Sequence, residues 1–263
     1  MYAIDYNSYR ATKSFNHRTR FLVMHYTACN FRQSVAALTG PSVSAHYLVP
    51  DPSDKTYTDA GFTDMRIFNL VDEGERAWHA GVSGWAKRYN LNDTAIGVEI
   101  VYVATEDKGA FTFPPYNPTQ IDAVKELAKN ILQRYPDITP VNVVGHSDIA
   151  IGRKSDPGAA FPWKALHDAG IGAWYDEATK HNYQVQFSSA LPAKADMIAK
   201  LGRYGYDSAT AGTDSGYRNL IRAFQLHFRP QKYDGVVDAE TAAALYALVD
   251  RYFPKKMTKQ IYV

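Results

Sequence analysis

Three polar side chains follow apolar stretches of the chain, and their types match the ligand set of a catalytic metal ion. His25 lies near the end of FLVMHYTA, His146 follows VNVVG, and Asp156 comes ten residues later in GRKSDPG. Two imidazoles and one carboxylate are a common ligand set for catalytic zinc, with a fourth position left for water. Bound zinc lowers the pKa of that water to about 7, which provides hydroxide at neutral pH. Because His25 and His146 are far apart in sequence, the spacing alone also allows three structural polar residues.

Two further charged residues could take part in hydrolysis at such a site. Glu99 lies in AIGVEIV, a run that otherwise favours burial, and a buried carboxylate is costly unless it is paired or bound. Lys154 comes two residues before Asp156. A carboxylate base can take the proton of a water molecule, and a cation can stabilise the oxyanion of a tetrahedral intermediate. Together with zinc, these residues would supply what the hydrolysis of an amide requires.

The elements that position these residues alternate between strands and helices. AIGVEIVYV is a nearly continuous run of β-branched and apolar residues, which is typical of a central, buried strand. Apolar side chains recur at helical spacing between Pro118 and Pro136. This alternation predicts an α/β (α+β) fold with a mixed central β-sheet flanked by helices. Predicted strands cover residues 21–28, 44–50, 66–71, 95–103 and 141–145, and predicted helices cover residues 31–38 and 118–135.

The composition changes near residue 175, and the remainder of the chain has no convincing strand. Helical patterns at residues 193–201, 215–228 and 238–252 predict a small all-α, three-helix module. We therefore expect a catalytic domain at residues 1–178, a linker at 179–192 and the helical module at 193–263. Asp238 is expected to cap the last helix, with Thr241 as its N3 residue, and His227 is expected to lie on a helix face without a chemical role.

Six segments, in order, resemble the AmpD/AmiD branch of the amidase_2 family, whose fold is shared with peptidoglycan recognition proteins. They are FLVMHYTA, VSAHYLV, RIFNLVDEGERAWHAG, LNDTAIGVEIV, VVGHSDIAIGRKSDPG and FPWKAL. The resemblance implies a zinc-dependent N-acetylmuramoyl-L-alanine amidase, which cuts between the sugar strand and the stem peptide of peptidoglycan. It implies that His25, His146 and Asp156 bind one zinc ion. It also implies that Glu99 is the general base and that Lys154 polarises the scissile carbonyl.

The same resemblance implies a substrate cleft, and the second module has a resemblance of its own. Segments that line the cleft in the family include four residues that we expect to contact substrate: His46, Trp78, His79 and Asn92. YGYD, LIRAFQLHFRP and YDGVVDAETAAAL resemble a three-helix peptidoglycan-binding domain. Such a module would hold the enzyme on an insoluble polymer, so its deletion is expected to slow digestion of sacculi while sparing soluble muropeptides.

Composition excludes several other classes of protein. With a net charge of +2 and a pI near 8.4, nucleic acid is not an expected partner. No eighteen apolar residues run together, so no membrane-spanning helix is expected. Cys29 is the single cysteine and is expected to be an inert thiol. The first twenty residues contain no readable signal peptide. An enzyme acting in the periplasm or cell wall would then use specialised secretion or have lost its leader.

Two alternative functions remain open from the sequence. A non-catalytic peptidoglycan-recognition protein would share the fold, but such proteins typically lack the third zinc ligand or the catalytic side chains, which this sequence keeps. A cytosolic amidase that recycles soluble anhydromuropeptides would share the chemistry, but it would not need an appended binding module. The expected partners are the glycan strands and stem peptides of peptidoglycan, and assembly into a homo-oligomer is left open.

Overall fold

A five-stranded sheet lies at the centre of the N-terminal region in the computed structural model, which describes residues 2–107 and 110–254. Across the described residues the strands are β1 (Phe21–Tyr26), β2 (Tyr47–Val49), β3 (Phe68–Asn69), β4 (Gly84–Trp85), β5 (Arg88–Tyr89), β6 (Ala95–Ile100), β7 (Thr105–Asp107), β8 (Ala110–Thr112) and β9 (Val143–Gly145). The strands of the central sheet run in the order β3-β2-β6-β1-β9. Strand β1 pairs in parallel with β6 and β9, β2 pairs in parallel with β6, and β3 is an antiparallel edge.

Helices cover the sheet and form the C-terminal region. The described helices are α1 (Phe31–Leu38), α2 (Lys55–Asp59), α3 (Pro118–Arg134), α4 (His146–Ile149), α5 (Trp163–Asp168), α6 (Glu177–Ser189), α7 (Lys194–Tyr204), α8 (Asp214–Phe228) and α9 (Ala239–Tyr252). Helix α3 begins with Pro118 after the cap Asn117, whose side chain accepts from the Thr119 N–H. It buries an apolar stripe that includes Val124 and Ile131. The predicted fold class, a mixed sheet flanked by helices with a helical C-terminal region, is confirmed.

Parts of the C-terminal helices α8 and α9 are buried on every side. Residues 223–228 of α8 and residues 241–245 of α9 are all buried. Helix α9 begins after Asp238, whose side chain accepts from the Thr241 N–H as expected. Residues 255–263 of the predicted module lie outside the described part of the chain. In that part, no helix is both long and apolar enough to cross a bilayer.

The segment predicted as a linker, residues 179–192, is mostly helical in the structure. Most of it belongs to α6, which packs along α9. The Tyr183 hydroxyl donates to Asp250 at 2.5 Å, and the ring of Phe187 lies against Tyr246. Phe187 is the one side chain of α6 that is buried, so the helix carries no apolar stripe that its sequence could reveal.

The N-terminal and helical regions share a continuous hydrophobic core. Trp85 packs against the rings of Tyr204 and Tyr206, and its indole N–H donates to the carbonyl of Val141 at 3.0 Å. The Ala86 N–H donates to the Gly205 carbonyl at 2.7 Å. A Cβ at Gly205 would lie 2.6 Å from the Trp85 ring, so this close approach requires glycine. The two regions are therefore packed as parts of one body rather than joined by a free tether.

Candidate active site

The two predicted histidine ligands lie side by side at the carboxyl edge of the central sheet. Met24 on β1 pairs with Gly145 on β9, so the residues that follow them, His25 and His146, are neighbours. Asp156 reaches the same place on the loop after α4, where its backbone carbonyl accepts from the Ser147 N–H at 2.8 Å. The carboxyl ends of parallel strands are where open α/β sheets usually bind ligands.

Three donor atoms of these residues form a small triangle. The Nδ1 atoms of His25 and His146 are 3.0 Å apart, and they lie 3.1 and 3.0 Å from Oδ2 of Asp156. All three side chains are buried, with exposed fractions of 0%, 4% and 6%. Such separations are close to those of donor atoms that share one ion at bond lengths of about 2.0–2.2 Å. The structure therefore brings the predicted set together as a possible metal site.

Partners on the far side of each ring set the tautomers that metal binding needs. Nε2 of His25 lies 3.0 Å from Nδ1 of His79, and Nε2 of His146 lies 3.2 Å from the carbonyl of Ala80. A carbonyl only accepts, so Nε2 of His146 carries the hydrogen and its Nδ1 keeps a lone pair facing the triangle. Binding of a cation by Nδ1 of His25 requires that its Nε2 carry the hydrogen and donate it to Nδ1 of His79; both Nδ1 atoms can then face one ion.

The electrostatics of the triangle also favour a cation. Burial, together with the neighbouring His146, lowers the pKa of His25 to about 4, so this imidazole is neutral at pH 7. Burial opposes ionisation of Asp156, but its interactions with His146 and His25 outweigh burial and hold its pKa well below the usual range. Two imidazole rings and one carboxylate, all buried, suit a divalent metal ion of the zinc type.

Glu99 lies on the strand next to His25, and the two residues are in register. Its Oε2 atom is inaccessible and has no hydrogen-bond partner among the described residues. Burial and the negative charge of Asp156 together raise the pKa of Glu99 to about 8, although the positive charge of Lys154 opposes them. A half-buried carboxyl group with one inaccessible and unpartnered oxygen, beside a possible ligand triangle, is typical of a group that exchanges protons with substrate or water.

An open cavity of about 400 Å³ connects the triangle to solvent. Glu99 and Lys154 both line it, and Lys154 is an exposed side chain. Trp78, which is 54% exposed, and His79 also line it, so they lie where substrate contact was predicted. Cys29 is a half-buried free thiol at the same cavity, 3.4 Å from the hydroxyl of Ser34.

The other two predicted substrate contacts lie behind the site. His46 is 1% exposed: its Nδ1 accepts from the Gly97 N–H at 3.0 Å, and its Nε2 lies 3.3 Å from the carbonyl of Glu75. The side-chain oxygen of Asn92 accepts from the backbone N–H groups of His79 and Ala80 at 3.1 and 2.7 Å. These polar atoms of both side chains bond to backbone groups, so the two residues shape the loop of His79 instead of facing the cavity.

Two residues without a predicted role also hold the site together. The guanidinium of Arg153 donates to the carbonyls of Ala80 and Val82 at 3.0 and 2.8 Å, which ties this loop to the one that carries Lys154 and Asp156. Asp148, two residues after His146, is completely buried. Sequence offered no signal for either residue, because their partners come from distant segments.

A buried set of two histidines and one carboxylate, beside a glutamate in an open cavity, is an arrangement that metal-dependent hydrolases use. The N-acetylmuramoyl-L-alanine amidase family model (Amidase_2) matches residues 15–159, and a peptidoglycan binding domain model matches residues 196–245. The chain belongs to the N-acetylmuramoyl-L-alanine amidase family and is an enzyme that hydrolyses amides. The resemblance to the AmpD/AmiD branch is thus confirmed.

Similar proteins include two whose structures are solved. The chain is 45% identical to the N-acetylmuramoyl-L-alanine amidase AmiD of Escherichia coli over 237 residues, covering 89% of this chain and 84% of AmiD. The crystal structure of AmpDh3 from Pseudomonas aeruginosa with anhydromuramic pentapeptide has a TM-score of 0.93 at 60% identity, covering 96% and 99% of the two chains. The complex of AmiD with anhydro-N-acetylmuramic acid-L-Ala-D-γ-Glu-L-Lys has a TM-score of 0.84 at 41% identity, covering 96% and 98%.

Proposed function

We propose that this enzyme is zinc-dependent and hydrolyses the amide between the lactyl group of N-acetylmuramic acid and L-alanine in peptidoglycan. The triangle of His25, His146 and Asp156 is the observation that carries the proposal. Its two lone pairs and one carboxylate oxygen, held by buried partners, match the donor set of a catalytic zinc ion. When bound, zinc would act as a Lewis acid and make a water molecule more acidic.

In this mechanism Glu99 is the proton carrier. Its carboxyl group lies on the strand beside His25 and lines the cavity. The charge of a bound divalent ion would lower the pKa of Glu99 from about 8, so that the ionised group could accept a proton from the attacking water. The same group can then give that proton to the amide nitrogen of L-alanine as the bond breaks. A buried oxygen without a competing hydrogen bond suits both steps, because neither one requires an existing bond to be broken first.

Lys154 would stabilise the oxyanion that forms from the scissile carbonyl. Its ammonium group is exposed at the cavity, and its charge acts on both Glu99 and His25. The need for this charge is greatest as the carbonyl oxygen becomes negative, so Lys154 should contribute mainly to turnover. Trp78 and His79 would contact the sugar or peptide at the cavity wall. The other two predicted substrate contacts, His46 and Asn92, would act indirectly, by holding the loop that carries His79.

The ligands of the two solved relatives support this substrate class. AmpDh3 and AmiD were solved with anhydromuramyl peptides, and this chain covers almost all of both proteins. We further propose that residues 193–263 hold the enzyme on polymeric peptidoglycan, following a catalytic domain at residues 1–178. An enzyme with that task would act in the periplasm or cell wall. A role confined to soluble anhydromuropeptides is the alternative, and the match of residues 196–245 to a peptidoglycan binding domain favours polymer.

Mass spectrometry of products from purified sacculi and from a soluble anhydromuropeptide tests both proposals with the full chain. Free stem peptides beginning with L-alanine, and glycan without peptide, are the expected products. Glu99→Gln, which keeps the size of the side chain, is the matched inactive control. New reducing ends would contradict the proposal, because they require cleavage of the sugar bond by a pair of carboxylates. Release from soluble substrate alone would support the recycling alternative.

A further inference from the structure

A buried carboxylate joins the C-terminal helical region to the turn that carries His146. Asp148 is 0% exposed and has three hydrogen-bond donors around it. Its Oδ2 accepts from the Gly145 N–H at 2.7 Å and lies 2.7 Å from Nδ1 of His227. Its Oδ1 accepts from the hydroxyl of Tyr206, also at 2.7 Å. One donor is local, whereas His227 and Tyr206 come from the region after residue 190.

The surroundings of His227 restrict its hydrogen bonding to the carboxylate of Asp148 within the described part of the chain. Its ring is stacked between Trp163 and Phe228, with centroids 3.8 and 3.9 Å away. Its Nε2 is buried without a hydrogen-bond partner in the described part of the chain. A hydrogen on Nε2 would be a buried unpaired donor, so the favoured tautomer carries it on Nδ1 and donates it to Asp148.

The carboxylate acts on a very short piece of backbone. Helix α4 is a single turn that begins with His146, and Asp148 closes it by accepting from the Gly145 N–H just before it. His146 must direct Nδ1 to the triangle while its Nε2 donates to Ala80. A rotation of this turn would therefore move the ligand directly. If His227 or Tyr206 were lost, a buried oxygen of Asp148 would lack a donor, and the turn would shift to expose it.

We propose that His227 and Tyr206, from the C-terminal helical region, are positioning residues that hold His146 in its metal-binding direction through Asp148. This inference rests on the proposed role of His146 as a ligand. It gives the helical region a second task besides anchoring, because part of the metal site is supported from there. It also changes the expectation for deletion of the module: loss of the module should impair turnover of soluble muropeptides as well as digestion of sacculi.

Two substitutions in the full-length protein test this role. His227→Phe keeps a flat ring between Trp163 and Phe228 but removes the donor, and Tyr206→Phe removes one hydroxyl. The zinc affinity of each variant is measured by competition with a chromophoric chelator, and kcat and KM are measured on a soluble anhydromuropeptide. We expect zinc affinity to fall about 10–100-fold, as is typical when the partners that orient a metal ligand are removed. KM should stay near the wild-type value, because neither residue lines the cavity.

Control variants separate positioning from general loss of stability. Tyr252→Phe also removes a hydroxyl from the helical region, but that hydroxyl contacts the backbone of Trp174, so zinc affinity should not change. His227→Asn places an amide N–H near the position of Nδ1 and should restore much of the affinity lost in His227→Phe.

Folded Tyr206→Phe and His227→Phe proteins with wild-type zinc affinity and kcat would overturn the proposal, even if their melting temperatures fell. If His227→Phe does not fold, Tyr206→Phe decides the matter alone. Failure of the proposed function would appear separately: the wild-type protein would then bind no zinc or leave the muramyl amide intact.

Discussion

Replacement of Gly97 by alanine is expected to weaken metal binding although Gly97 contacts no metal. This glycine lies on β6, two residues before Glu99, and faces the ring of His79. A Cβ at this position would lie 2.4 Å from Cγ and 2.6 Å from Nδ1 of that ring. Ordinary carbon contacts begin near 3.4 Å, so the ring would have to retreat by about 1 Å in a close-packed site.

The size of the effect follows from the hydrogen bond between His79 and His25. Its Nδ1 lies 3.0 Å from Nε2 of His25, and a retreat of about 1 Å would break that hydrogen bond. His25 would then lose the partner that sets its tautomer and ring direction. We expect zinc affinity to fall about 10–100-fold. The strain of overpacking should lower the free energy of unfolding by about 1–3 kcal/mol.

A double-mutant cycle with zinc titration under chelator competition checks this reasoning. In a His79→Ala background the obstructing ring is gone, so adding Gly97→Ala should change zinc affinity very little. Gly74→Ala is the matched control, because a Cβ there meets nothing within 4 Å. Equal losses from Gly97→Ala in both backgrounds would refute transmission through His79, and so would wild-type affinity in the single variant.

Three other predictions concern catalysis, the metal and stability. Glu99→Gln should retain zinc but lower kcat by about 10²–10⁴-fold, as measured on a soluble muropeptide; near-wild-type turnover would rule out its role as base. Exhaustive chelation, or His146→Ala, should abolish hydrolysis, and activity that survives both would exclude a metal mechanism. Asp238→Ala should cost about 1 kcal/mol in urea unfolding, because Asp238 caps α9. Burial opposes ionisation of Asp238, but Thr241 and Arg229 lower its pKa to about 2 from 3.8. The stabilisation should therefore be complete above about pH 4, disappear as pH falls to 2, and have no counterpart in the variant.

The sequence of the N-terminal region by itself indicated which residues could come together in the folded protein. His25, His146 and Glu99 stand on apolar segments of the β-sheet type or directly after one, and the structure places them together because parallel strands end at the same edge. The helices α8 and α9 were equally readable, since apolar residues recur along both and α9 has a cap at Asp238. These features depend on local periodicity and residue type, which a single sequence contains.

Other features depend on burial by distant partners. His46 and Asn92 were expected to contact substrate because their segments resemble those that line the cleft of the family; in the structure, both ring nitrogens of His46 and the side-chain oxygen of Asn92 bond to backbone groups. Helix α6 occupies most of the predicted linker, because packing on α9 stabilises a helix that has almost no apolar stripe. Periodicity cannot reveal either outcome, since both depend on which surface another segment covers.

Only the tertiary structure decided how the ligands are held. The carbonyl of Ala80 orients His146, and His227 reaches Asp148 from 79 residues away. His227 looked like an ordinary helix-face residue, but that face is buried against Trp163 and the turn of His146. A hydrogen bond in the interior depends on distance and direction between groups that the sequence keeps far apart. The types of the ligands can thus be read along the chain, whereas their tautomers and supports exist only once the two regions have packed.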